Sequence, residues 1–246
     1  MTKVGKSTQP IDVFYDGHSF YWTDIAESIF ELAPEYMKKE RLIYLGLEHP
    51  ENLAVDWLTG NIYFTDSVVK HIAMCTADGS SCKPLIATEY VDQPRAIALH
   101  PHQGLMFWSD WGKRAHIGVA IMDGSSPTVL VEKVGWPNGI ALDWPNGRLY
   151  WVDALEHTIQ SVNMAGKDRR VIIKDLEHPF GLAVFENKLY WSDWDKNSIQ
   201  SCNKFTGEDL KTIHEGEKIF GEDLKREELR QFQMMSHDFW CFGRHF

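Results

Sequence analysis

The chain has 246 residues, of which 43% are hydrophobic and 13% aromatic, and it contains ten Trp. This length can bury one sizeable core or two small ones, and the aromatic content favours an all-β protein because rings pack well on pleated sheets. The formal net charge of −10 argues against nucleic-acid binding, which needs a basic face. No apolar stretch approaches the roughly 20 residues that cross a bilayer, so we expect no direct membrane insertion by this chain.

The first nine residues are expected to be disordered. The N-terminus does not resemble a secretory signal peptide, because no apolar run follows its two lysines. If the protein is extracellular, its export signal lies outside this sequence.

An aromatic tetrapeptide that ends in Asp recurs along the chain. Its five copies are Tyr21–Asp24, Tyr63–Asp66, Phe107–Asp110, Tyr150–Asp153 and Tyr190–Asp193. Their first positions are 42, 44, 43 and 40 residues apart, which is too regular for chance. Internal repetition at this period predicts a repeat architecture.

Each tetrapeptide has the same neighbours in the sequence. Short apolar strands precede the copies, at Pro10–Phe14, Asn52–Trp57, Arg95–His100, Gly139–Trp144 and Gly181–Phe185. Tight turns follow three of them, at Ala77–Gly79, Met122–Gly124 and Met164–Gly166, and a further strand comes after each turn. Four strands in a unit of ~40–45 residues are typical of a β-propeller blade. A helical solenoid would need a 3.6-residue period, which these segments lack.

The repeats, together with the phrases Gln93–Leu99, Phe107–Gly112, Trp136–Gly139 and His178–Phe185, resemble the six-bladed YWTD propeller of the low-density lipoprotein receptor family. The resemblance covers residues 10–231 and is greatest to invertebrate lipoprotein and vitellogenin receptors. The segment Cys202–Gly207 is also similar to the Wnt co-receptors.

The resemblance implies an incomplete propeller, with five full blades and one strand of the sixth at Ile219–Lys225. In the family, the other three strands of that blade precede the first full repeat, and this segment is absent here. The tail, residues 232–246, is expected to be irregular, and Trp240–Cys241 is either the start of a truncated growth-factor-like module or unrelated sequence. A fragment that does not fold alone is therefore one alternative, because missing strands expose sheet edges.

The repeated Asp is interpreted as structural, since a residue present in every blade serves the blade. We expect these carboxylates to accept hydrogen bonds from backbone N–H groups of the adjoining blade. The residues are Asp24, Asp66, Asp110, Asp153 and Asp193. The aromatic rings of the tetrapeptides are expected to pack between blades.

The resemblance also implies a ligand-binding face made of residues that differ between blades. Positions similar to the peptide-binding face of the Wnt co-receptors are Arg95, Trp136, Asn138, His178, Phe180 and Trp194, and Trp111 is the equivalent of Trp194 in another blade. Trp and Arg dominate interface energies, and Asn138 can offer both a donor and an acceptor to a ligand amide. The alternative is that Trp136–Gly139 is only a loop turn.

Histidines provide a second hypothesis, because the resemblance implies ligand release at endosomal pH. The candidates are His100, His102 and His178. Protonation between about pH 7 and about pH 5.5 would charge them and attract acidic ligand-binding repeats of the same receptor. The alternative is that they are solvated loop histidines.

Two of the four cysteines, Cys75 and Cys82, flank a predicted hairpin turn. They can form a disulfide if their Cβ atoms lie within reach, which would indicate an oxidising compartment; the alternative is two free thiols. The cysteine spacing does not match a zinc site. We expect no metal and no cofactor.

These patterns favour a protein-binding propeller in the extracellular part of an endocytic receptor, with secreted proteins or lipoproteins as partners. One alternative is a Wnt co-receptor-type propeller that binds secreted signalling proteins, and another is a purely structural spacer. An enzyme is not expected, because Gly-x-Ser-x-Gly and His-Glu-x-x-His are absent. The repeated carboxylates are also spread one per blade instead of converging on one ion.

Overall fold

A computed structural model describes residues 10–15, 19–24, 28–33, 38–43, 46–87 and 89–216. Within these ranges the chain forms five four-stranded antiparallel sheets, and the only helix there is a 3₁₀ turn at Pro101–Gln103. The predicted all-β class is confirmed. The predicted sixth-blade strand at Ile219–Lys225, the N-terminal residues 1–9 and the tail 232–246 lie outside the described residues.

Each sheet is one repeat, with its four strands paired in chain order. Blade 1 contains β1 Pro10–Tyr15, β2 Phe20–Asp24, β3 Ser28–Ala33 and β4 Lys38–Ile43. Blade 2 contains β5 Pro50–Val55, β6 Ile62–Asp66, β7 His71–Cys75 and β8 Cys82–Ala87. Blade 3 contains β9 Pro94–His100, β10 Leu105–Asp110, β11 His116–Ile121 and β12 Thr128–Val131. Blade 4 contains β13 Pro137–Asp143, β14 Arg148–Asp153, β15 Thr158–Asn163 and β16 Arg170–Ile173. Blade 5 contains β17 Pro179–Phe185, β18 Lys188–Asp193, β19 Ser198–Asn203 and β20 Lys211–Glu215.

The first strands of the blades line a common axis, because β1, β5, β9, β13 and β17 pack against one another in that order. Each of them begins at a Pro, one or two residues earlier than the predicted start in blades 2 to 5. Proline is tolerated there because the first residue of a strand need not donate to the ladder.

Every described interface between blades is built from the first tetrapeptide position of one blade and the second position of the next. The pairs that share an apolar cluster are Tyr21 with Phe64, Tyr63 with Trp108, Phe107 with Trp151, and Tyr150 with Trp191. Successive residues of a strand point to opposite faces of its sheet, so one tetrapeptide faces both neighbouring blades. The prediction that these rings pack between blades is confirmed.

The ring of Trp108 also dictates the residue opposite it. Gly118 is its cross-strand partner in β11, and a Cβ at this position would overlap the indole ring. Glycine is therefore required by close packing and not by backbone conformation.

In blades 1 and 2 the hydroxyl at the third tetrapeptide position joins neighbouring blades at the axis. Thr65 Oγ1 donates a hydrogen bond to the carbonyl oxygen of Arg95 in the next blade at 2.5 Å. Thr23 Oγ1 contacts the carbonyl oxygen of Glu51 in the same way at 3.4 Å. In its own blade, Thr65 Oγ1 accepts from the N–H of Asn52 at 3.2 Å. This residue therefore forms polar contacts within its blade and to the next blade.

The repeated Asp acts within its own repeat. Asp66 Oδ2 accepts the backbone N–H groups of Glu48 and His49 at 2.8 and 3.0 Å. Its Oδ1 accepts those of Val68 and Val69 at 3.0 and 2.9 Å. The donors lie in the loop that leads into the blade and in the turn that follows the Asp itself.

The other described copies draw donors from the same two segments. The donors are Asp92, Gln93 and Gly112 for Asp110, Gly135, Trp136, Leu155 and Glu156 for Asp153, and His178 and Lys196 for Asp193. Asp193 accepts through Oδ1 alone, and its Oδ2 has no partner among the described residues. The expectation that an adjoining blade supplies the donors is wrong. Each Asp is paired with the first residue of its own blade's first strand, which places that blade's leading loop beside the carboxylate. The side chain of Asp24 lies outside the described residues.

Cys75 and Cys82 face each other across β7 and β8. The structure joins them by a disulfide, with their Cα atoms 4.0 Å apart. Among the described residues Cys202 is a free, buried thiol, and burial raises its pKa to about 11. Cys241 lies outside the described residues.

Candidate functional site

One end of the axis is formed where each first strand begins. Pro50, Pro94, Pro137 and Pro179 pair with the tetrapeptide Asp of the same blade. Residues beside these Pro and Asp positions therefore meet around the axis. We call this end the mouth, and define it by His49, Glu51, Ser67, Arg95, Trp111, Trp136, Asn138, His178, Phe180 and Trp194.

Arg95 lies at the centre of the mouth. Its Nη1 donates a hydrogen bond to Asn138 Oδ1 at 2.9 Å. Its guanidinium carbon is 4.6 Å from the ring centroid of Trp111 and 5.3 Å from that of Phe180, both within cation–π range. Burial lowers the pKa of Arg95, and the carboxylate of Glu51 opposes this shift. The cation therefore lies against two aromatic rings and is oriented by an amide.

Aromatic rings continue this surface around blade 5. Phe180 stacks on Trp194 with centroids 3.9 Å apart, and His178 stacks on Trp194 at 5.3 Å. His178 Nδ1 is 4.0 Å from the Asp195 carboxylate. Trp136, in contrast, is 45% exposed and can bury its ring against a partner.

The seven predicted ligand-binding residues belong to the mouth because each is next to a first-strand Pro or a tetrapeptide Asp. Five of them line one pocket: Arg95, Trp111, Trp136, Asn138 and His178. The alternative interpretation of Trp136–Gly139 as a loop turn is wrong, because β13 begins at Pro137.

The expectation for Asn138 needs revision. Its side chain is buried, Oδ1 accepts from Arg95, and Nδ2 donates to the carbonyl oxygen of Pro179 at 3.3 Å. An amide has two lone pairs and two N–H groups, so only part of its capacity remains for a ligand. Asn138 therefore orients Arg95 and links blade 4 to blade 5.

The three predicted pH-responsive histidines do not form one site. His178 is in the mouth, whereas His100 ends the strand that begins there and so lies at the opposite end of the axis. His100 is buried 6.2 Å from the ring of Trp144, and His102 contacts the edge of Trp57 at 5.9 Å. Burial lowers the pKa of His100, and the nearby His102 adds to this shift. His178 directly precedes the first strand of its blade, whereas His100 is the last residue of one, so the two histidines lie at opposite ends of equivalent strands.

Sequence reasoning missed Glu51 and its neighbours His49 and Ser67. Glu51 follows Pro50 as Arg95 follows Pro94, Asn138 follows Pro137 and Phe180 follows Pro179. This shared position after Pro is a sequence signal that could have identified Glu51.

The described ranges contain neither a metal-binding cluster nor a membrane-spanning helix. No group of three or more His, Cys, Asp or Glu side chains in them could hold a metal ion. No helix in them is long and apolar enough to span a bilayer.

Comparison with known proteins identifies the repeats. The family model described as low-density lipoprotein receptor repeat class B matches residues 60–101, 104–144 and 147–186. The vitellogenin receptor Yl of Drosophila melanogaster is 47% identical over 88% of this chain, and the vitellogenin receptor of Solenopsis invicta is 43% identical over 80%. This chain spans only 11% of the length of either receptor. A human low-density lipoprotein receptor-related protein 5-like protein is 36% identical over 77% of this chain and 75% of its own length.

Solved structures give the same result for the fold. A chain in the crystal structure of a nidogen/laminin complex superposes with a TM-score of 0.77 and 30% identity, over 83% of this chain and 78% of that one. Virginiamycin B lyase of Staphylococcus aureus, at 18% identity and a TM-score of 0.68 over 87% of this chain and 72% of that one, shares the fold alone. The matching repeats, the five four-stranded blades and the receptor relatives agree: the chain belongs to the low-density lipoprotein receptor family and is a propeller of its class B repeats.

Proposed function

We propose that the mouth binds an exposed segment of a secreted protein, and that the chain is the ligand-binding propeller of an endocytic receptor. The observation that carries this proposal is the fixed cation Arg95 beside the exposed ring of Trp136. Exposed aromatic anchors around an ordered Arg are typical of binding hot spots. Side chains that are already ordered lose little conformational entropy when a ligand binds.

The ligand we propose is vitellogenin, because two relatives are named as its receptors. The disulfide between Cys75 and Cys82 supports an extracellular location, since such bonds persist in oxidising compartments. The similarity to the human receptor-related protein 5-like protein favours one second candidate, a co-receptor propeller that binds secreted signalling proteins.

Binding of purified vitellogenin to the 246-residue chain, measured by surface plasmon resonance, tests this proposal. We expect Trp136→Ala to weaken binding at least about tenfold, as the loss of a hot-spot ring does. The control is Leu58→Ala, an exposed apolar residue that follows β5 at the opposite end of the axis. If wild type and Trp136→Ala bind equally, ligand binding at the mouth is refuted. If the chain does not bind vitellogenin at all, this ligand is excluded, and the co-receptor and spacer interpretations are left.

We further propose that acidification releases the ligand through His178, because of the three predicted histidines it alone lies in the mouth. Protonation would add a charge beside Trp194 and Asp195 and change the contacts available to a ligand. Binding at pH about 7.5 and about 5.5 should differ in wild type and differ less in His178→Gln. Equal binding of the wild type at both pH values would exclude this release mechanism.

A further inference from the structure

A buried carboxylate lies in the mouth beside the central cation. Glu51 is 6% exposed, although it occupies the position in blade 2 that Arg95, Asn138 and Phe180 occupy in the next three blades. Burying an ionised carboxylate is costly unless it is paired and hydrogen-bonded. The contacts of Glu51 therefore indicate what this charge does.

Each oxygen of this carboxylate has a separate set of neighbours. Oε1 accepts a hydrogen bond from Ser67 Oγ at 2.9 Å and lies 3.2 Å from His49 Nδ1. Oε2 lies 3.7 Å from Arg95 Nε. Ser67 thus fixes one side of the carboxylate, and the other side faces the cation of the neighbouring blade.

The negative charge of Glu51 offsets the burial of the Arg95 guanidinium. Its Nε is buried and has no hydrogen-bond partner among the described residues, so the nearby carboxylate compensates the burial of that end of the guanidinium. The other end donates a hydrogen bond to Asn138, and the guanidinium carbon lies over the rings of Trp111 and Phe180. A free arginine side chain loses rotamer entropy when it is fixed. Glu51 and Asn138 hold this one from both ends.

We propose that Glu51 is a positioning residue that acts through Arg95: its carboxylate, held by Ser67, fixes the guanidinium against the rings of Trp111 and Phe180 in the orientation that a ligand meets. The consequence for binding rests on the proposed function of the mouth, whereas the consequence for Arg95 does not. Glu51 itself need not contact the ligand.

Nuclear magnetic resonance of the Arg95 Nε–Hε group tests the positioning without any ligand. The signal is assigned by its loss in Arg95→Lys. Glu51→Gln keeps the shape and an oxygen acceptor for Ser67 but removes the charge, and we expect hydrogen exchange of Arg95 Nε–Hε to become at least about fivefold faster. Ser67→Ala leaves the charge but removes its anchor, and we expect a smaller increase. The matched control is Glu48→Gln, an exposed acidic residue in the loop that leads into the same blade.

Circular dichroism shows whether each variant is folded. Glu51→Asp is a conservative variant that keeps the charge, and it should restore part of the slow hydrogen exchange at Arg95 Nε–Hε. Unchanged exchange in folded Glu51→Gln and Ser67→Ala would overturn the proposal. Vitellogenin then serves as the binding probe, and we expect Glu51→Gln to bind about tenfold more weakly. If wild type does not bind vitellogenin, the proposed function fails, while the exchange measurement still decides the role of Glu51.

Discussion

Arg95 in blade 3 donates a hydrogen bond to the side-chain amide of Asn138 in blade 4 at 2.9 Å. Because Asn138 in turn donates to the carbonyl oxygen of Pro179 in blade 5, three blades are linked by polar contacts at the mouth. The residues that orient the candidate binding site therefore also join the blades.

Replacing Asn138 should cost stability as well as binding. Asn138→Ala leaves a buried donor of Arg95 and the acceptor of Pro179 without this partner, and we expect the free energy of unfolding to fall by about 1–3 kcal/mol. Urea denaturation measures the change. The control is Asn187→Ala, at an exposed side chain in the β17–β18 turn, which should change the free energy of unfolding by less than about 0.5 kcal/mol. Equal stability of both variants would show that the amide does not link the blades.

Replacing the tetrapeptide Asp should lower the free energy of unfolding more than replacing most surface carboxylates does. Asp153 accepts backbone N–H groups from Gly135, Trp136, Leu155 and Glu156, so Asp153→Ala should lower the free energy of unfolding by about 3 kcal/mol. Asp153→Asn keeps one oxygen acceptor and should lose less. The control is Asp175→Asn, at an exposed residue whose positive φ of 60° asparagine tolerates. A loss in Asp153→Ala no larger than in this control would contradict the structural role.

Gly118 should not tolerate a side chain. Gly118→Ala would drive its Cβ into the ring of Trp108, and we expect a loss of about 2–3 kcal/mol from overpacking. Gly181→Ala is the matched control, since its Cβ would lie 3.2 Å from Ser192 Oγ, an atom that can give way. Thermal unfolding of both variants should show the larger decrease for Gly118→Ala, and a similar decrease in both would refute the packing argument.

Acidification should destabilise the fold. Burial lowers the pKa of His71 and His100 from their ordinary value of 6.5. The unfolded chain therefore binds protons more readily than the folded chain, so stability is lost as the pH falls below about 6.5. His100→Phe should reduce this loss, and Phe185 occupies the equivalent position in blade 5. Melting temperatures measured between about pH 7.5 and about pH 5 test this pH dependence, with His116→Gln as the control variant. A melting temperature independent of pH would contradict the prediction.

The repeat made most of the fold predictable, because a strand order repeated at fixed spacing leaves few alternatives. It also brought Arg95 and Trp194 to one surface, although they are 99 residues apart in the chain. The donors to Asp66 were mispredicted, because a period shows which residues are equivalent but not which loop lies beside them. The position of Glu51 after Pro could have placed it in the mouth, but acidic residues are mostly exposed. Its burial and its approach to Arg95 therefore become evident only from the structure.

The paired rings between blades have a consequence for the evolution of this architecture. Tyr63 completes an interface with Trp108 of the next repeat, while Phe64 beside it completes one with Tyr21 of the repeat before. No single repeat therefore contains a complete interface. A repeat exchanged by recombination carries one half of the interface on each of its two sides. Such an exchange succeeds only when the incoming rings fit both flanking repeats, which couples sequence change in one repeat to its neighbours on either side.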